Sequence, residues 1–199
     1  MSSLLGSILS GLSGDSTQQI SQSIGADHST TSTAIQAALP VLIGALARNS
    51  SNPQGASALN QALGNHDGSI LDNLSGYLSN VDPSQGAAIL GHVLGDRQST
   101  VQSGLSKATG LNGTQVTSLL TTLAPIVMGA LGNAQRSNGL NASALGQFLG
   151  DQHEQIQSAG SPTLGALTSL LDSNNDGSAM DEITSIGGNL LGNLFKGSR

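Results

Sequence analysis

The chain has 199 residues, enough for one ordinary domain, and only 9 % of them are charged against about 25 % in an average soluble protein. Six Lys and Arg against twelve Asp and Glu, with 2 % aromatic residues, leave no basic stripe for phosphates and few rings on which bases could stack, so nucleic acid is not an expected partner. With no cysteine there can be no disulfide, no thiolate metal site and no cysteine nucleophile, and the polar surface has to be made from Ser, Gly, Asn, Gln and Thr.

In chain order, Met1 to Leu12 lacks the charged start and small-residue cleavage site of a secretory signal, so it is read as part of a mature, cytoplasmic chain. Its Leu4, Leu5, Ile8, Leu9 and Leu12 form a one-sided helical stripe. The helix expected over Ala34 to Ala47 contains the longest apolar run, Ala37 to Ala47, interrupted by Pro40; a bilayer span needs about twenty residues, so no segment is expected to cross a membrane. A flexible connection is expected at Asn49 to Asn52. The string Asp67-Gly68-Ser69-Ile70-Leu71-Asp72 reads as a helix start, and Asp82-Pro83 places proline in the first turn of the next helix, which carries Gly86 to Gly95. Gly64, Gly95, Gly110 and Gly150 close periodic runs and are expected as left-handed C-caps. The helix Leu119 to Gly132 carries Pro125, and a second flexible connection is expected at Ala134 to Asn141.

Two stretches match at an offset of 85 residues. Gly25, Pro40, Gly44, Ala45 and Leu46 fall on Gly110, Pro125, Gly129, Ala130 and Leu131, and after a one-residue change of register Ser57-Ala58-Leu59, Gln61 and Leu63-Gly64 fall on Ser143-Ala144-Leu145, Gln147 and Leu149-Gly150. Each copy is a long helix with an interior proline followed by a short helix. Proline in a helix interior removes one backbone hydrogen bond and crowds the preceding turn, so two such helices imply kinks compensated by packing. Each proline is followed four residues later by Gly-Ala, and the two helices are expected to cross near Gly44 and Gly129 about a pseudo-two-fold axis; separate packing of each against its own neighbours is the alternative.

The runs Leu39-Pro40 to Asn49, Gly86 to Gly95, Ala124-Pro125 to Gly129 and Asp176-Gly177-Ser178 resemble a bacterial group of unknown function, the YidB-like family. The resemblance covers roughly residues 29 to 195. It implies an all-helical fold and carries no catalytic residues.

The sharpest candidate site is Asp172 to Glu182. Asp172, Asn174 and Asp176 supply oxygens at loop positions 1, 3 and 5, with Gly177 at 6, as in the first half of a calcium loop. Position 12 is Ile183, so Asp181 or Glu182 would close a shortened site. The same string also reads as a turn followed by a Ser178 N-cap with Asp181 as capping-box acid. The four histidines, His28, His66, His92 and His153, make no i, i+4 metal pair, and His92 is expected to hydrogen-bond a backbone carbonyl inside an apolar helix. No nucleophile elbow, phosphate loop or dinucleotide fingerprint is present, so neither enzyme activity nor a cofactor other than calcium is expected.

The expected architecture is all-α: residues 1–158 form a duplicated multihelical domain with halves at about 20–80 and 101–158, and 159–199 form a helical appendage. In the appendage, Leu164, Leu167, Leu170 and Leu171 form one stripe after Ser161-Pro162, and Ile183, Ile186, Leu190, Leu191, Leu194 and Phe195 form another. Function is expected to be structural or interactive, with self-association or protein binding through the terminal amphipathic helices; a calcium-responsive binding module is the alternative.

Overall fold

The computed structural model describes residues 3–158, and within them every regular element is helical. The order is α1 (Leu4–Gly11), α2 (Asp15–Ile24), α3 (His28–Asn49), α4 (Pro53–Ala62), a 3-10 turn (Leu63–Asn65), α5 (Ser69–Asp72), α6 (Leu74–Ser79), α7 (Pro83–Leu94), a second 3-10 turn (Gly95–Arg97), α8 (Gln98–Thr109), α9 (Gly113–Asn138) and α10 (Ala142–Ser158). The Asp172 to Glu182 loop and both appendage stripes lie outside the described residues.

Amide and hydroxyl side chains start the helices where charge is scarce. Asn52 accepts from Gly55 N (2.8 Å), Asn73 from Gly76 N (3.1 Å) and Asn141 from Ala144 N (3.0 Å). Asn112 and Gln115 form a reciprocal capping box on α9. Asp82 accepts from Ser84 N ahead of Pro83. At Asp67 it is the carboxylate that accepts from Ser69 N (3.0 Å) to start α5, so this string is a helix start.

α9 is the centre. From Leu119 to Gly132 it is buried without a break, the signature of a helix surrounded by others. α7 lies along it, with α1, α2, α3, α5 and α8 also against it, while α10 packs on α3 and α4. α10 runs antiparallel to α3, its Gly146 near Ser50 and its His153 over Gly44. The stripe of α1 (Leu4, Ile8 and Leu12, at most 4 % exposed) is consumed by this core, and Leu4 N donates to Gln152 Oε1 at 2.7 Å. Leu5 and Leu9 of the same stripe are half-buried against the core.

The two copies can be followed through their caps. α2 and α8 both end on a left-handed glycine, Gly25 (φ 67°) and Gly110 (φ 77°), and 85 residues also separate the N-caps Asp27 and Asn112. The copies touch where Gln115 Nε2 donates to Gly25 O (2.8 Å). α9 has 26 residues against 22 in α3, about one extra turn.

Several local expectations are corrected. Gly64 sits in a 3-10 turn and Gly150 inside α10, so neither is a cap, and Gly95 has positive φ (53°) but is not left-handed helical. Helix α9 continues to Asn138, so the second connection shrinks to residues 139–141, and α3 and α4 are separated by residues 50–52 alone. Helices α3 and α9 do pack together, but not through their glycines: the space over Gly44 is filled by the His153 ring and that over Gly129 by Ile70. A glycine accepts whatever side chain arrives, and here each received a different one.

Counting uninterrupted apolar residues also understated the two long helices. By length and mean hydropathy (1.4 each) both α3 and α9 could cross a membrane, yet 61 % and 83 % of their apolar windows are buried inside the fold, as in core helices.

Candidate groove between α4 and α7

Among the described residues, no three His, Asp or Glu side chains come together as metal ligands. The residues singled out as calcium ligands, Asp172, Asn174, Asp176 and Asp181, lie outside the described residues. His28 is exposed at the start of α3. His153 is half-buried on α10, its Nε2 2.8 Å from Gln157 Nε2. His92, expected to bond a carbonyl inside its helix, is instead exposed on α7; it is its backbone carbonyl that is engaged.

His66 and His92 share one feature, a groove of about 680 Å³ between α4 and α7. Its floor is apolar: Leu46 from α3, Leu59 from α4, Ile89 and Val93 from α7, and Met128 from α9. Amides edge it at Asn49, Asn52, Asn65 and Gln85, joined by Arg48, His66 and His92. Among the described residues no carboxylate lines it. Its volume is in the range of ordinary ligand sites, about 300–1,000 Å³.

Close backbone approaches set the walls. A Cβ on Gly55 would lie 1.7 Å from Asn49 O, so the first turn of α4 rests directly on the end of α3. A Cβ on Gly132 would lie 1.8 Å from His66 O, which seats the turn after α4 on α9. On the opposite wall a Cβ on Gly86 would lie 2.1 Å from Thr121 O, so α7 lies against the backbone of α9. Thr121 is four residues before Pro125, and its carbonyl is the one the proline leaves without a helical donor. Gly86 brings a Cα–H to that oxygen, and Tyr77 Oη donates to the next carbonyl, Thr122 O (3.2 Å). Asn49 Nδ2 then ties the end of α3 to α7, donating to His92 O (3.1 Å) and Val93 O (2.9 Å).

Electrostatically the groove is quiet. Burial holds the His66 imidazole below the ordinary histidine value, partly countered by Asp67. Asp67 itself is kept below the usual carboxylate range by hydrogen bonds from Ser69. Such a surface can hold an apolar face and bond the polar groups flanking it.

Sequence reasoning missed this groove because its lining comes from three separate stretches of the chain, within 46–66, within 85–93 and at Met128. The signal that was available is the set of glycines Gly55, Gly86 and Gly132, whose missing Cβ atoms permit the close approaches.

Comparison with curated proteins and with solved structures finds no match. A family model described as a bacterial protein of unknown function, DUF937, matches residues 6–134, a span that holds every residue lining the groove. The chain thus belongs to the DUF937 family of bacterial proteins.

Proposed function

We propose that the chain is a non-catalytic interaction protein whose binding site is the α4–α7 groove, and that the groove takes an amphipathic helix by its apolar face. The observation that carries the reading is the floor of Leu46, Leu59, Ile89, Val93 and Met128 beneath a rim of amides and two histidines, with no carboxylate among the described residues. Helix-in-groove recognition needs an apolar trough for residues at i, i+3, i+4 and i+7, with polar groups beside it. A partner helix with acids at its start suits this rim. Low surface charge, 9 % of residues, also leaves little repulsion between copies, which supports self-association as a use of the same site.

The test is an amide chemical-shift titration with a designed amphipathic peptide whose first turn is acidic. It is run on a full-length chain carrying Leu190→Asp and Leu194→Asp, so that the protein's own apolar stripe does not compete. Shifts should cluster on Ala58, Ala62, Ala88 and His92, and Ala88→Trp, which fills the trough, should weaken binding by about tenfold or more, 1.4 kcal/mol. Shifts elsewhere, or none, would overturn the reading.

Calcium at Asp172, Asn174, Asp176 and Asp181 is a separate proposal resting on sequence. The described counterpart, Asp67 capping Ser69, supports a helix start for such a string. Calorimetric titration with calcium decides: absence of heat together with an unchanged melting temperature removes the metal.

A further inference from the structure

We infer that the natural occupant of the α4–α7 groove is the chain's own segment 183–195, an inference that rests on the helix-binding reading above. Ile183, Ile186, Leu190, Leu191, Leu194 and Phe195 fall at i, i+3, i+7, i+8, i+11 and i+12, the spacing of one helical face. The acids Asp181 and Glu182 stand at its head and Lys196 at its foot, in keeping with the helix dipole. The groove has the complementary character, an apolar floor of Leu46, Leu59, Ile89, Val93 and Met128.

The tether fits as well. α10 is described as far as Ser158, having run back along α3 with His153 over Gly44, whereas the groove begins at Leu46 and Arg48. At about 1.5 Å per helical residue, Ser158 is within roughly 20 Å of the groove along α3. The 24 residues from 159 to 182 reach about 80 Å when extended, so the span is met with slack. Linkage through residues 159–182 makes docking intramolecular, with an effective concentration of about a millimolar, which favours the segment of the same chain over that of a second copy or a free partner.

The absence of native cysteine makes the test direct. Ser185→Cys, on the face opposite the apolar stripe, is labelled with a nitroxide in the isotopically enriched full-length chain. Amide signals of Ala58, Ala88 and His92 should be lost, and should stay lost in excess unlabelled natural chain. They should return when Leu190→Asp and Leu194→Asp are added, and the chain with those two substitutions should bind the designed peptide at least about tenfold more tightly than the natural chain. Unaffected groove signals overturn the inference; so does quenching that disappears in excess unlabelled chain, which would assign the groove to a second copy. If the peptide still binds the groove in either of those cases, the helix-binding reading survives alone. If the peptide binds neither protein, that reading has failed too.

Discussion

Helices α3 and α9 begin from the same plan and end in different places. Each follows a left-handed glycine, starts at an Asp or Asn cap and carries a proline with a glycine four residues on. α9 became the buried axis, while the end of α3 lines an open groove. The difference lies in the segment between α4 and α8, since α5 and α7 both pack on α9. That segment supplies Gly86 and Tyr77 to the carbonyls around Pro125, Ile70 to Gly129 and the His66 carbonyl to Gly132. A duplication yields two similar helices, and what is inserted between them decides which is enclosed.

The largest effects should come from breaking backbone contacts on α9. Gly132→Ala and Gly86→Ala each drive a methyl group into a carbonyl oxygen, at 1.8 and 2.1 Å, and a backbone atom cannot step aside cheaply. Each should cost about 3 kcal/mol, the upper part of the range for overpacking, read as a lower urea midpoint at unchanged slope. Gly91→Ala is the control: it lies on the same helix as Gly86 but opens to space, and should stabilise by about 0.5–1 kcal/mol through helix propensity. Equal midpoints for Gly86→Ala and Gly91→Ala would mean that α7 does not rest on α9 as described.

The equivalent glycines after the prolines come next. At Gly129 a Cβ would sit 2.3 Å from Ile70 Cγ2; at Gly44 it would sit 3.0 Å from the His153 ring, which is half-buried and can swing. Gly129→Ala should therefore cost about 1–2 kcal/mol, whereas Gly44→Ala should fall within about 1 kcal/mol of the natural chain, its helix-propensity gain offsetting the crowding. A reversed order would place the tighter half in the first copy.

These glycines also mark where the sequence stops being legible. Helix type was readable because Leu, Ile and Val recur at helical spacing, and Asp82-Pro83 and the paired prolines were readable because proline has few permitted places. Gly44 and Gly129 were readable as small, but not what fills the space beside them, since that depends on chain brought in from α10 and α5. Gly150 was taken for a helix end because only the backbone conformation separates a cap from an interior glycine. The groove was invisible for a related reason: Leu59, Ile89 and Met128 each read as ordinary core, and only packing leaves them lining an opening.

A smaller effect belongs to Tyr77, the single tyrosine of a chain without tryptophan, which makes its absorbance unambiguous. Burial, with Asp82 adding to it, pushes the phenol up to about 12. The unfolded phenol titrates near 10, so the folded form holds its proton longer. The contribution is complete below about pH 10 and disappears as pH rises towards 12. Tyr77→Phe should cost about 1 kcal/mol at neutral pH by removing the bond to Thr122 O, and should flatten that alkaline decline. An ordinary tyrosine midpoint in the folded chain would remove the second support of the Pro125 turn.

The smallest effect isolates the difference in charge between the two caps. Asp27 accepts from Thr30 N (2.9 Å) and Ser29 Oγ (2.6 Å), and these hydrogen bonds hold its carboxyl well below the usual carboxylate range. Asn112 does the same work at the equivalent site with a side chain that does not titrate. A depressed folded value means that the Asp27 contribution is present above the ordinary carboxylate range and is lost as pH falls through the folded value. Amide exchange at the start of α3 should consequently accelerate on acidification relative to the start of α9, after correction for intrinsic rates. Asp27→Asn should make the two helix starts respond alike while leaving neutral-pH stability nearly unchanged, because Asn is as good an N-cap as Asp. If the acid response of α3 survives that substitution, its origin lies elsewhere on the helix and not in the cap.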